Sequence, residues 1–358
     1  MQQQLNRPDL LELESLTRLI SLPDETLKQQ AREHIDQLTK PPGSLGLLEE
    51  MAIRLAGITG ERTPDMSKKA IVVCCGDHGV VEEGVTAYPS EVTEKMMANF
   101  AAGGAAINVI ARQTGADVFV VDVGSQARTV PDGVIDCKVR PGTDNMASGP
   151  AMSRDEAVRA VMTGVDVARR LKQEGVRVIG VGEMGIGNTT PATAIAAVMT
   201  GSPVDQLTGR GTGVDDTGML RKIHVIEQAI RVNQPDAQDP MDVLAKVGGL
   251  EIAAMAGVML GGALERMPVV IDGLISTSAA MIAACLTERV KPYLFASHLS
   301  EEPAHRILLE KLGLTPLIHA RMRLGEGTGA ALLFPLMETA VALMREMATF
   351  ADLGLEGP

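Results

Sequence analysis

Residues 176–191 read VRVIGVGEMGIGNTTP: an extended run of β-branched and apolar residues, then a glycine-rich loop, then a helix with Thr189 or Thr190 as its cap and Pro191 at the first helical position. The same texture recurs as IVVCCGDHG from Ile71, VFVVDVG from Val118, PVVIDGL from Pro268 and PYLFASH from Pro292, most of these runs ending in Gly, Asp, Ser or His. Helical patterns separate them at residues 91–114, 154–174, 217–232 and 301–312, several with Ser, Thr or Asp before the first turn. Strands that are apolar on both faces and alternate with helices make a parallel sheet covered on both sides, an α/β fold that binds ligands in loops at the strands' carboxyl ends. Residues 10–20, 24–38 and 45–57 read as helices interrupted by Pro41, Pro42 and Gly43, and residues 325–350 as a Gly-rich turn opening a long Ala/Leu/Met helix. The expected division is an N-terminal helical segment (1–65), a large α/β domain (66–320) and a C-terminal helix (321–358) that joins the first segment in a small helical domain.

Of 358 residues, 45% are hydrophobic and 22% charged, enough apolar material for a sizeable core and too much for wholesale disorder. Lys and Arg number 33 against 45 Asp and Glu, a net charge of -12, and no basic run stands out. Aromatics are only 2%, so neither a phosphate backbone nor stacked bases would find partners, and nucleic acid is not an expected ligand. The four cysteines form neither a disulfide framework nor a zinc spacing; adjacent Cys74 and Cys75 are expected to be reduced thiols on opposite faces of a strand. Residues 1–15 lack the apolar core of a signal peptide, and the uncharged stretch 273–286 is too short to span a bilayer. The expectation is a cytoplasmic protein without membrane contact.

Chemistry is sought in the loops. Gly180, Gly182 and Gly185 formally satisfy GxGxxG, but the helix opens later than a dinucleotide site requires. A loop of backbone N–H groups for one phosphate or carboxylate is preferred, with a plain strand-to-helix turn left open. Glu183 in that loop would be repelled by a phosphate and suits sugar hydroxyls or a cationic ring. A second glycine loop, 209–218, precedes a helix carrying Lys222, which is either a phosphate clamp or a solvated lysine. Asp272 before Gly273 matches only partly the phosphoribosyl-pyrophosphate loop, which carries two adjacent acidic residues. Asp77 and His78 follow a strand, and with no HExxH or second His/carboxylate pair a loop-organising role is preferred to metal ligation. Of the remaining histidines only His298, at a strand end, is a site candidate. Glu326, between Gly325 and Gly327, has two readings that shift its pKa in opposite directions: a desolvated general base, or a helix-start carboxylate favoured by the macrodipole.

KPPGSLG (40–46), GDHGV (76–80), GPAMSR (149–154), GEMGIGNTTPA (182–192), NQPD (233–236), LAKVGGLEIAAMAGVMLG (244–261), IDGLIS (271–276), SHLSEE (297–302) and RLGEGTGAAL (323–332) stand in order along nearly the whole chain. Together they resemble the nicotinate-nucleotide:5,6-dimethylbenzimidazole phosphoribosyltransferases of cobalamin biosynthesis. The resemblance implies transfer of the 5-phosphoribosyl group of nicotinate mononucleotide to a benzimidazole nitrogen, with inversion at C1' and release of nicotinate. It implies Glu326 as general base, phosphate and ribose contacts at Glu183, Gly185, Gly187, Asn188, Thr189, Gly211, Lys222 and Ser300, and no metal or other cofactor. It further implies a homodimer and a Rossmann-like, mostly parallel sheet with a small domain built from both chain ends. The acceptor pocket falls on Tyr88 and Met96, where some family members carry smaller or more polar residues, with Met322 and Leu324 completing an apolar slot, so dimethylbenzimidazole, adenine and a phenol are all open as acceptors. The alternatives are a phosphoribosyl-pyrophosphate-dependent transferase and a non-catalytic nucleotide-binding protein.

Overall fold

The computed structural model describes residues 10–211 and 213–357; most of the 1–15 stretch, and Thr212 of the second glycine loop, lie outside them. Six strands, β1 (Lys69–Gly76), β2 (Ala116–Gly124), β3 (Val134–Asp136), β4 (Val178–Met184), β5 (Val269–Ile271) and β6 (Leu294–Ala296), form one sheet in the order β3-β2-β1-β4-β5-β6. Every pairing is parallel. The chain winds outward from β1 to one edge and then returns from β4 to the other, so the loops after β1 and β4 part and leave a crevice at the carboxyl ends. The residues of β1, β5 and β6 are buried throughout, as continuous apolar runs require.

Helix Leu250–Leu264 lies against β1, β2 and β4 with Arg154–Gln173 packed on it, while Ala106–Thr114 and Thr328–Glu346 pack against the sheet and each other. The first pair approaches so closely that a Cβ on Gly257 would fall 1.8 Å from the Val161 carbonyl oxygen, and one on Gly164 1.9 Å from that of Ala254. The segments after the second helix and after the last long one touch: Thr39 N–H donates to the Ala348 carbonyl (3.0 Å) and Phe350 N–H to that of Gln37 (2.9 Å). Thr328–Glu346 is long and apolar enough by composition to cross a membrane, but much of it is buried inside this fold. Cys74 and Cys75 are free, buried thiols of β1.

The structure corrects the sequence reading in four places. The helix after β4 begins at Thr189 with Asn188 at its cap position, so Pro191 stands third in the helix and not first. Strand β3, only three residues long and half exposed, carries too short a pattern to read. The helix expected over 91–114 is two, Glu91–Ala101 and Ala106–Thr114, broken where Gly103 adopts φ +79. Helices Leu250–Leu264 and Leu274–Leu286 were not singled out, because they are apolar around nearly their whole circumference and lack the polar face that makes a 3.6-residue period visible.

Candidate active site

Three strand exits and one helix entrance converge on a cavity of about 460 Å³. β4 delivers Glu183, the loop after β5 delivers Asp272, the loop after β6 delivers His298 and Ser300, and the turn before Thr328–Glu346 delivers Glu326.

Glu326 has φ +63, a left-handed conformation rare outside glycine, between Gly325 (φ +89) and Gly327 (φ +84). Gly182 of β4 permits that turn, since a Cβ there would fall 2.4 Å from the Glu326 carbonyl carbon. The buried carboxylate accepts the Ile107 N–H at 3.2 Å. Burial raises the Glu326 pKa against the lowering effect of that bond. The helix begins only at Thr328, so of the two readings of Glu326, desolvation prevails.

Glu326 is one of three neighbouring carboxyls. Burial pushes Glu183 up to about 8 despite a hydrogen bond from the Asn188 side chain, with Glu251, Asp272 and Glu326 adding repulsion. Asp272 accepts the N–H groups of Gly329 (2.8 Å) and Gly327 (3.0 Å), yet burial still pushes it up to about 7. His298 Nδ1 lies 3.5 Å from Asp272, and burial pushes its imidazole down to about 4, which keeps the ring neutral at pH 7. The three carboxyls therefore do not carry three full charges near neutrality.

Elsewhere in the wall Asn188 and Thr189 begin helix Thr189–Thr200; the Asn188 and Thr190 N–H groups donate to the Gly185 and Gly187 carbonyls (3.2 and 3.0 Å) and Pro191 has none, so the Thr189 N–H and hydroxyl are what this helix start offers an anion. Lys222 stands behind this wall, buried, its Nζ donating to Thr189 Oγ1 (2.7 Å) and the Gly209 carbonyl (3.2 Å). Burial pushes the ammonium down to about 8, opposed by Glu302. Glu302 accepts the Gly211 N–H at 3.1 Å, and Arg323 donates to the Gly211 carbonyl at 3.2 Å.

The cavity brings together Glu183, Gly185, Asn188, Thr189, Gly211, Ser300 and Glu326 with Tyr88, Met96 and Leu324, the residues expected on the acceptor side. Gly187, Lys222 and Met322 are not in its wall: Gly187 lies beside Val81, Lys222 backs Thr189 as described, and half-buried Met322 uses its carbonyl to accept the Glu301 N–H at 3.1 Å. The sequence reading passed over Glu302 and Arg323, both of which lie inside quoted motifs, and Val92, one helical turn from Met96. Below the loop after β4, the preferred loop-organising reading of His78 acquires a partner: its Nε2 lies 2.8 Å from Glu251 Oε1. Burial would lower the His78 pKa, but the Glu251 carboxylate overrides it and the net shift is upward. Among the described residues no three or more His, Cys, Asp or Glu side chains gather as a metal site.

A family model described as phosphoribosyltransferase matches residues 20–355. The nicotinate-nucleotide–dimethylbenzimidazole phosphoribosyltransferase of Desulforamulus reducens is 53% identical over 94% of this chain and 96% of its own length. Its namesake in Geotalea uraniireducens is 54% identical over 93% and 95%. The solved structure of the Thermus thermophilus enzyme of that name is 44% identical and superposes with a TM-score of 0.88, covering 94% of this chain and all of that one. Sequence and fold agree along almost the whole length, and the chain belongs to the nicotinate-nucleotide–dimethylbenzimidazole phosphoribosyltransferase family.

Proposed function

We propose that this protein transfers the 5-phosphoribosyl group of nicotinate mononucleotide to 5,6-dimethylbenzimidazole or a related base, giving α-ribazole 5'-phosphate for the lower ligand of cobalamin. One ring nitrogen of the acceptor bonds to C1' as the bond from C1' to the pyridinium nitrogen breaks, its electron pair neutralising the departing nicotinate ring. The other ring nitrogen gives its proton to Glu326. Because the leaving ring is already cationic, no acid is needed to expel it.

The observation that carries this reading is Glu326 itself: a buried carboxylate in a left-handed turn, beside an apolar slot and with its pKa raised. The oxocarbenium-like transition state develops positive charge, which is best stabilised by those neighbouring carboxyls that are ionised. Glu183, protonated for much of the time near neutrality, serves a ribose hydroxyl as donor or acceptor. The phosphate is assigned to Gly185, Asn188, Thr189, Gly211 and Ser300, with Gly187 shaping the loop and Lys222 behind the wall, a remote handle whose binding energy aligns C1'. The acceptor is assigned to the slot of Tyr88, Met96 and Leu324, which reads ring shape more than hydrogen bonds, and Met322, outside the wall, is dropped from it. A cytoplasmic homodimer, with residues 1–65 and 321–358 as a small domain, belongs to the same reading.

The test is incubation with nicotinate mononucleotide and, separately, dimethylbenzimidazole, adenine and phenol, in EDTA, with mass detection of products. Nicotinate release matched by a new α-ribotide is expected and names the acceptor. Binding of the nucleotide without turnover would overturn the reading in favour of a binding protein, and activity abolished by EDTA and requiring phosphoribosyl pyrophosphate would replace it with the other transferase chemistry.

A further inference from the structure

We propose that His78 and Glu251 are positioning residues that set the height of the Gly185 loop, and through it the grip on the phosphate of nicotinate mononucleotide; this rests on the reaction proposed above. The two side chains belong to elements 173 residues apart and meet at 2.8 Å, almost wholly shielded from solvent. His78 follows the exit of β1, and Glu251 stands in the first turn of Leu250–Leu264.

The loop after β4 rests directly on this pair. A Cβ on Gly185 would fall 2.2 Å from the Gly76 carbonyl oxygen and 3.3 Å from His78 Nε2, so backbone, strand exit and imidazole touch with no spacer between them. A Cβ on Gly249 would fall 2.4 Å from His78 Cε1 and 2.7 Å from Glu251 Oε2, so the ring and the carboxylate are hemmed in on that side as well. The imidazole has no room to turn, and its hydrogen bond to Glu251 fixes where the loop lies. From the acceptor side, Thr93 accepts the Ile186 N–H at 3.2 Å and pins the next residue.

Stability is a poor explanation for the pair. Glu251 Oε2 is buried without a hydrogen-bond partner among the described residues, and a buried ion pair offers little net stability over well-packed apolar residues. What the pair supplies is a rigid support of fixed dimensions under Gly185, a residue of the cavity wall.

The test compares His78→Ala, Glu251→Ala, the double variant and Glu251→Gln with the wild-type chain, by steady-state kinetics and by calorimetric titration with nicotinate mononucleotide. Met259→Ala, a core truncation in the same helix, controls for lost stability. Each Ala variant is expected to raise the KM and Kd for the nucleotide about tenfold while leaving the acceptor KM within about twofold. The double variant should be no worse than either single one, because each removes the same support. Glu251→Gln keeps an acceptor oxygen at the same reach and is expected within about threefold of wild type, and Met259→Ala should lower Tm without moving either KM. A folded Ala variant with unchanged nucleotide KM, a parallel rise in both KM values, or a Gln variant as damaged as Ala would overturn the inference. Should Glu251→Ala fail to fold, His78→Ala carries the same comparison. A wild-type chain that neither binds nor turns over the nucleotide would overturn the reaction and this inference together, whereas an active wild type beside unaffected variants overturns the inference alone.

Discussion

Gly180 and Gly182 lie two residues apart on β4 and face the same side of the sheet, yet replacing each with alanine should have different consequences. The Cβ of Gly182→Ala would fall 2.4 Å from the carbonyl carbon and oxygen of Glu326 and 2.5 Å from the Gly327 nitrogen, where ordinary contact begins at 3.4 Å. The obstacle is backbone in a turn already held at positive φ, so relief requires moving Glu326 by about 1 Å, a displacement that can cost ~100-fold in rate. In Gly180→Ala the methyl would meet side-chain carbons instead, Ile71 Cδ1 at 2.4 Å, Ala330 Cβ at 3.0 Å and Phe334 Cζ at 3.1 Å, some of which can repack. Both are overpacking changes costing about 1–3 kcal/mol of stability, a few degrees in Tm. The assay pairs thermal unfolding with nicotinate release under saturating substrates. Similar losses in Tm are expected, with kcat falling about 100-fold for Gly182→Ala and less than about fivefold for Gly180→Ala. Native kcat in Gly182→Ala, or equal losses of kcat in both variants, would refute the claim that this glycine exists to make room for the Glu326 turn.

Glu326→Gln should lower kcat by about 10²–10⁴ with little change in the nucleotide KM, as removal of a general base does; unaltered kcat in steady-state assays would remove Glu326 from the chemistry. Glu183 titrates near 4.5 ordinarily and near 8 when folded, so between those values the folded protein holds a proton the unfolded chain has lost. The stability it contributes is complete below the lower value and is lost as pH rises through the upper one, so wild-type Tm should fall from pH 5 to 8 more steeply than that of Glu183→Gln. A steeper fall in the variant would contradict the raised pKa. Gly257→Ala places a Cβ 1.8 Å from the Val161 carbonyl oxygen between two buried helices; separating them should cost at least about 3 kcal/mol, seen as a lower denaturant midpoint or loss of soluble protein.

Five of the six strands were legible because each is an apolar run ending in a residue that cannot continue it, and the loops after β4, β5 and β6 became the site because parallel α/β sheets leave their carboxyl ends open. Glu326 was legible as well, a single carboxylate between glycines. Its protonation preference was not, since macrodipole and burial pull in opposite directions and only the depth of the turn decides between them. Lys222 shows the same limit: the sequence offered a clamp or a solvated lysine, and only the folded chain removes the second, burying the side chain behind Thr189 with its ammonium hydrogen-bonded.

By itself the sequence determined the alternation of strands and helices, the parallel sheet and the family, because these depend on local periodicity, turn chemistry and long colinear motifs. Tertiary structure alone decided which carboxyls share one cavity and which glycines are obligatory, and it alone paired His78 with a glutamate 173 residues away. Those outcomes turn on distances of a few tenths of an ångström and on burial, which arise only when segments remote in the chain are packed against one another.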